Sequence, residues 1–174
     1  MEEGKKEEIL ERVMIDYGSE LVRLAFSYVK DQETAKDMVQ NTFIKCYENL
    51  DNFRSESSVK TWLYRITINQ CKDYLRSWHF RKVQAKSFLE SAIGTILPSA
   101  EDKLIKNAES EEMKRLIFSL SQNYREVIFL YYYESLSINE ISEVTKLNNN
   151  TVKTRLRRAK QKLKVLIEEG NAYG

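Results

Sequence analysis

Between Val152 and Leu166 the residues Val152, Leu156, Ala159, Leu163 and Leu166 recur at steps of four, three, four and three. That spacing puts one apolar side chain per turn on a single face of an α-helix; a strand, with its period of two, would scatter them. The same stretch, Thr151–Lys164, holds seven basic residues (Lys153, Arg155, Arg157, Arg158, Lys160, Lys162, Lys164) and no acid. A helix of this kind buries its apolar stripe and offers the cationic remainder either to water or to a polyanion. Helical spacing also runs through most of the rest of the chain. Five glycines and one proline in 174 residues are too few for the many tight turns of a β-rich fold.

With 42% hydrophobic and 31% charged residues the chain has enough apolar surface for a core and too little for a membrane protein. No stretch approaches the ~18 consecutive apolar residues of a spanning helix. The start, Met1 to Glu8, is acidic and mixed in sign, unlike a signal peptide, so a cytoplasmic location is expected. Cys46 and Cys71 are read as two reduced, buried thiols, with a disulfide as the alternative. A single His79 and no CxxC leave no ligand set for a metal, and no cofactor is expected. Charge is uneven: residues 113–174 carry 11 basic and 6 acidic side chains, whereas residues 1–80 carry 12 and 14. A polyanion partner is therefore expected for the C-terminal part.

Along the chain, Ile9–Tyr17 and Leu21–Val29 read as two helices, with Ser19 capping the second. Asp31 caps a third helix, and a polar loop follows at residues 51–58. A fourth helix runs from about Val59 to Trp78 with apolar residues on two sides, Leu63 and Ile66 against Tyr64, Ile68, Cys71 and Leu75. Residues 1–78 form a first domain, residues 79–98 an apolar-containing linker ending at Pro98, and residues 99–174 a second domain opened by a capping box at Ser99 and Asp102. The expected class is all-α, with two small helical domains joined by a linker.

In the second domain Ser137 caps a helix of about eight residues, with Ile138, Ile141 and Val144 inward. A turn at Lys146–Asn148 leads into the basic helix. Short helix, short turn and longer basic helix is the layout of a helix-turn-helix reader. The face opposite the apolar stripe carries Lys153, Thr154, Arg157, Arg158, Gln161 and Lys164, its early turns suited to base edges and its later lysines to phosphates. Asn149, Asn150 and Thr151 would leave backbone N–H groups at the helix start for a phosphate. No catalytic constellation or glycine-rich phosphate loop is present in the sequence, so neither an enzyme nor a small-molecule substrate is expected.

The segments Leu120–Ile128, Ser137–Ser142 and Thr151–Lys160 resemble the promoter-reading C-terminal domain of bacterial extracytoplasmic-function (ECF) sigma factors of the sigma-70 family. Helix-turn-helix domains of response regulators share part of this pattern, and the C-terminal half alone leaves both open. In the N-terminal half, Asp37-Met38-Val39-Gln40-Asn41-Thr42-Phe43 resembles the sigma-factor polymerase-binding helix. Phe53 to Ser57, Thr61 to Ile66, Asn69 and Asp73 resemble the segment that melts and reads the minus-ten element. Ser55 and Asn150 stand where the family usually has glycine; asparagine tolerates left-handed backbone angles, so the turn before the recognition helix is expected to survive.

The resemblance implies an alternative sigma factor that binds RNA polymerase core and directs it to promoter DNA. It implies minus-thirty-five contacts from Thr151, Lys153, Thr154, Arg155, Arg157 and Arg158, and minus-ten contacts from Phe53, Tyr64, Asn69, Asp73 and Arg76. Tyr64 and Asn69 would hold a flipped base, while Trp62 is read as core. Asp37, Gln40 and Phe43 would meet the polymerase, and the linker would pass through it toward the active-site cleft. A sequestering anti-sigma factor, commonly membrane-bound, is a further implied partner. The competing readings are a response-regulator type transcriptional regulator and a helical protein-binding adaptor.

Overall fold

The computed structural model describes residues 2–53, 57–77, 81–82 and 108–172. Arg54, Ser55 and Glu56 of the polar loop, nearly all of the expected linker and the expected capping box at Ser99 and Asp102 lie outside them. The chain divides into two units, residues 1–102 and 103–174. Every described element is helical.

The first unit is built on three helices rather than the four expected. α1 (Glu3–Val29) runs unbroken through Gly18 and Ser19. Val13, Tyr17, Leu21, Leu24 and Tyr28 keep one stripe across that point, and their burial outweighs the ~1 kcal/mol that a mid-helix glycine costs. Ser19 is therefore an interior residue, not a cap. α1 ends at Lys30, whose left-handed backbone (φ 58°) lets its N–H reach the Phe26 carbonyl. Asp31 then caps α2 (Gln32–Asn49), accepting the Thr34 N–H at 2.8 Å and its hydroxyl at 2.6 Å. Those bonds hold the Asp31 carboxyl below its ordinary pKa.

α2 tightens into a 3-10 turn at Leu50–Asn52, and Ser58 caps α3 (Val59–Arg76) by accepting the Thr61 N–H. The three helices pack mutually around Leu21, Leu24, Leu63, Tyr64 and Ile68, all fully buried. Inside this core the Thr42 and Thr67 hydroxyls lie 3.2 Å apart, and each also donates to a carbonyl one turn back on its own helix. Cys46 and Cys71 are buried free thiols, pushed by burial up to about 11 and about 12, where a thiol is inert.

In the second unit, α4 (Ala108–Ser119) is followed by α5 (Gln122–Ile128), which widens into a π-helical turn at Phe129–Tyr133. There the Glu134 N–H bonds the Phe129 carbonyl, five residues back, and Ser135 takes a left-handed conformation. α6 (Ile138–Thr145) opens on a complete capping box: Ser137 Oγ accepts the Glu140 N–H, and the Glu140 carboxylate accepts the Ser137 N–H. Lys146 (φ 61°) ends α6, and α7 (Asn149–Ala172) follows. The left-handed residue of this turn is Lys146; Asn150, expected to need that freedom, is already helical. Val127, Leu130, Ile141, Val144, Val152 and Ala159 form the core.

Candidate nucleic-acid interface

The helix-turn-helix is α6, the three-residue turn and α7. Val152, Leu156 and Ala159 are buried and Leu163 and Leu166 half-buried, so the stripe that opened the sequence reading seats α7 on its unit. At roughly 100° per residue this leaves Lys153, Thr154, Arg157, Arg158 and Gln161 outward. Lys153, Arg157, Arg158 and Gln161 are exposed, Thr154 partly so. Neither Arg157 nor Arg158 forms an ion pair with a described residue. The start of α7 is tied down: Asn148 Oδ1 accepts the Thr151 N–H at 2.8 Å, and the Asn149 amide donates to Asn139 on α6 at 2.8 Å. The Thr151 N–H expected to be free for a phosphate is thus already capped.

The basic run is not one surface. Arg155 turns back onto α5, where its guanidinium meets Glu126 at 3.7 Å; that carboxylate is 2% exposed. This pairing directs part of the Arg155 guanidinium, itself 25% exposed, toward its own unit. Lys160 lies over the rings of Tyr131 and Tyr132, and its hydrogen bond with Tyr132 raises its pKa. Lys162 lies over Tyr124, and Lys164 pairs with Glu168. The later lysines, read as phosphate contacts, are exposed, and each also lies near a tyrosine or glutamate of its own unit. Lys160 and Lys164 border a mostly apolar groove of about 580 Å³ between α4, the π turn and α7, with Met113, Tyr132 and Leu163 in its lining.

In the first unit the expected pairing of Tyr64 with Asn69 does not form. Tyr64 is fully buried, with its hydroxyl donating to Glu20 and Lys60 above its ring. Its ring is not available to a base. Burial works against the Glu20 carboxylate, but hydrogen bonds from Lys60 (2.6 Å) and Tyr64 outweigh it and hold the pKa below the ordinary value. Asn69 sits on the other side of α3. Leu63, Tyr64, Thr67, Ile68 and Cys71 form the one buried face of α3. Trp62, Ile66, Asn69, Asp73 and Arg76, at i, i+4, i+7, i+11 and i+14, form the open one.

Trp62, read as core, is half-exposed and packs its ring 4.7 Å from that of Phe53. These two rings, with Ile66, Lys45, Asn49 and Asn52, line a cleft of about 240 Å³. It offers aromatic surface beside two amides and an ammonium, the combination that holds an unstacked base. Trp62, Asn49, Asn52 and Lys45 were missed from the sequence; the register Trp62, Asn69, Asp73, Arg76 was the signal for the first of them. Asp73 and Arg76 are exposed and lie 4.0 Å apart.

On α2, Asp37 and Gln40 are exposed, but Phe43 is buried at 8%. Steps of three residues fall about 60° short of a full turn each, so by Phe43 the row has rotated into the core. The face that continues Asp37 and Gln40 instead carries Asn41 and Ile44, the latter 57% exposed.

The sigma-70 region 2 family matches residues 14–79 and sigma-70 region 4 matches residues 110–163. RNA polymerase sigma factor SigV of Bacillus subtilis is 31% identical over 159 residues, covering 91% of each chain. The ECF RNA polymerase sigma-E factor of Haemophilus influenzae is 31% identical over 163 residues, covering 87% of this chain and 84% of its own. Among solved structures, the sigma factor RpoE of Bartonella quintana, in complex with the anti-sigma factor NepR, superposes with a TM-score of 0.67 at 23% identity over 91% of this chain and 96% of its own. CnrH, in complex with the cytosolic domain of CnrY, does so with a TM-score of 0.66 at 23% identity over 94% of this chain and 90% of its own.

A helix-turn-helix unit matched to region 4 and a helical unit matched to region 2 in one chain define a sigma-70 type transcription initiation factor. Within that class the chain belongs to the ECF RNA polymerase sigma factors. It is an alternative sigma factor, and neither the response-regulator nor the adaptor reading is favoured.

Proposed function

We propose that the two units contact the promoter and the polymerase through separate surfaces. Lys153, Thr154, Arg157 and Arg158 of α7 read base edges of the minus-thirty-five element, with Thr151 at the helix start beside them. In the first unit, Phe53, Trp62, Asn49 and Asn52 take up an unpaired base of the minus-ten strand. Asn69, Asp73 and Arg76 extend that face along the strand. The exposed face Asp37, Gln40, Asn41 and Ile44 docks on RNA polymerase core, its carboxylate suited to a cationic side chain and Ile44 to an apolar pocket. The observation that carries this reading is the exposure of Arg157 and Arg158 on a capped, core-seated helix.

No helix among the described residues is long and apolar enough to cross a membrane, which fits a factor that works on DNA in the cell interior. Both solved relatives named above are complexes, one of them with a protein called an anti-sigma factor. A comparable anti-sigma partner is proposed for this chain. The decisive experiment mixes the chain with RNA polymerase core and maps transcript starts. Defined starts that need the chain are expected. Ile44→Glu should weaken core binding by about tenfold or more at unchanged melting temperature; failure of the unaltered chain to bind core would end the reading.

A further inference from the structure

The first turns of α1 precede the segment matched to region 2, which begins at residue 14. They nonetheless reach Asp51, the residue before the cleft-lining Asn52 and Phe53. Lys6 Nζ donates to Asp51 and stands 5.7 Å from the centre of the Tyr47 ring. Its side chain is only 17% exposed, an unusual enclosure for a lysine near the start of a chain. Asp51 belongs to the 3-10 turn Leu50–Asn52, and the Phe53 N–H closes that turn on the Leu50 carbonyl at 3.3 Å. Asn52 and Phe53, the next two residues, line the cleft. Among the described residues, this turn and the contact with Trp62 hold Phe53.

We propose that Lys6 is a positioning residue for the cleft: by holding Asp51 it fixes the turn that presents Asn52 and Phe53 to an unpaired base. This rests on the reading of the Phe53–Trp62 cleft as a base pocket. The Asp51 carboxyl is held below its ordinary pKa chiefly by the Lys6 hydrogen bond. Preorganising a pocket in this way improves binding by removing disorder that the ligand would otherwise have to suppress.

The test uses the full chain bound to RNA polymerase core and a forked probe selected from a pool with a randomised single-stranded minus-ten segment. 2-Aminopurine at the selected unpaired position reports stacking. Lys6→Ala and Asp51→Asn should each weaken forked-probe binding about fivefold and relieve 2-aminopurine quenching. Lys6→Arg should preserve both readouts, and a duplex probe of the minus-thirty-five element alone should bind all variants equally. The proposal is overturned if Phe53→Ala weakens forked-probe binding while Lys6→Ala and Asp51→Asn do not. Equal losses on both probes would also overturn it, as the mark of general destabilisation. If neither Phe53→Ala nor Trp62→Ala affects the forked probe, the base-pocket reading itself fails and the brace falls with it.

Discussion

α7 and α3 each bury one face and expose the other, yet they use their conspicuous residues in opposite ways. On α7 the exposed face carries two guanidinium groups, and Arg155 of the basic run turns to a buried glutamate of the same unit. On α3 the aromatic that looked most available, Tyr64, is sealed, and the one that looked sealed, Trp62, is open. Both helices pack against several neighbours, but α7 carries a single apolar stripe that shows its orientation, whereas α3 has apolar residues on two sides. There a tyrosine can be core if its hydroxyl finds a carboxylate, as Tyr64 does with Glu20.

The comparison can be broken most directly at Tyr64. Tyr64→Ala should cost ~3–5 kcal/mol of stability in the first unit, read by denaturant unfolding. A loss confined to minus-ten binding, with stability unchanged, would return Tyr64 to the open face.

Arg158→Ala should lower promoter affinity by ~1–3 kcal/mol and relax preference at one base pair. Arg155→Ala sharpens the contrast: it should leave the dependence of log affinity on log salt unchanged, because no phosphate contact is lost, while lowering the melting temperature. A reduced salt slope would put Arg155 back on the DNA.

Gly18→Ala should stabilise the first unit by about 1 kcal/mol in thermal or denaturant melts, since a Cβ at Gly18 meets nothing within 4 Å. Destabilisation there would mean that α1 is not one helix.

The smallest effect concerns pH. Glu20 has a folded pKa below its ordinary 4.5, so its contribution is complete above that value and fades as pH falls through the lowered one. Acid titration of unfolding should show this loss in the first unit, and Glu20→Gln should flatten it.

Much of the architecture was legible from sequence. The Ser137 cap, the short turn and the 4-3-4-3 stripe specified the helix-turn-helix because each is a local signal whose partner lies within one or two turns. Asp31 as a cap is of the same kind. Several departures from expectation depend on partners distant in sequence. Arg155 was assigned to DNA because Glu126 lies 29 positions away. Phe43 and Tyr64 were assigned to partners because the packing of α1 against α2 and α3 decides which face closes. The break expected at Ser19 weighed a serine's capping preference above a stripe that continued through it.

The π-helical turn at Phe129–Tyr133 has an evolutionary consequence. Widening a helix to accommodate a bond to the fifth residue back is equivalent to inserting one residue, and deleting one there would restore ordinary winding. The turn thus takes up one residue locally, so loss of a single codon there could close the bulge while the helices beyond keep Arg157 and Arg158 facing outward.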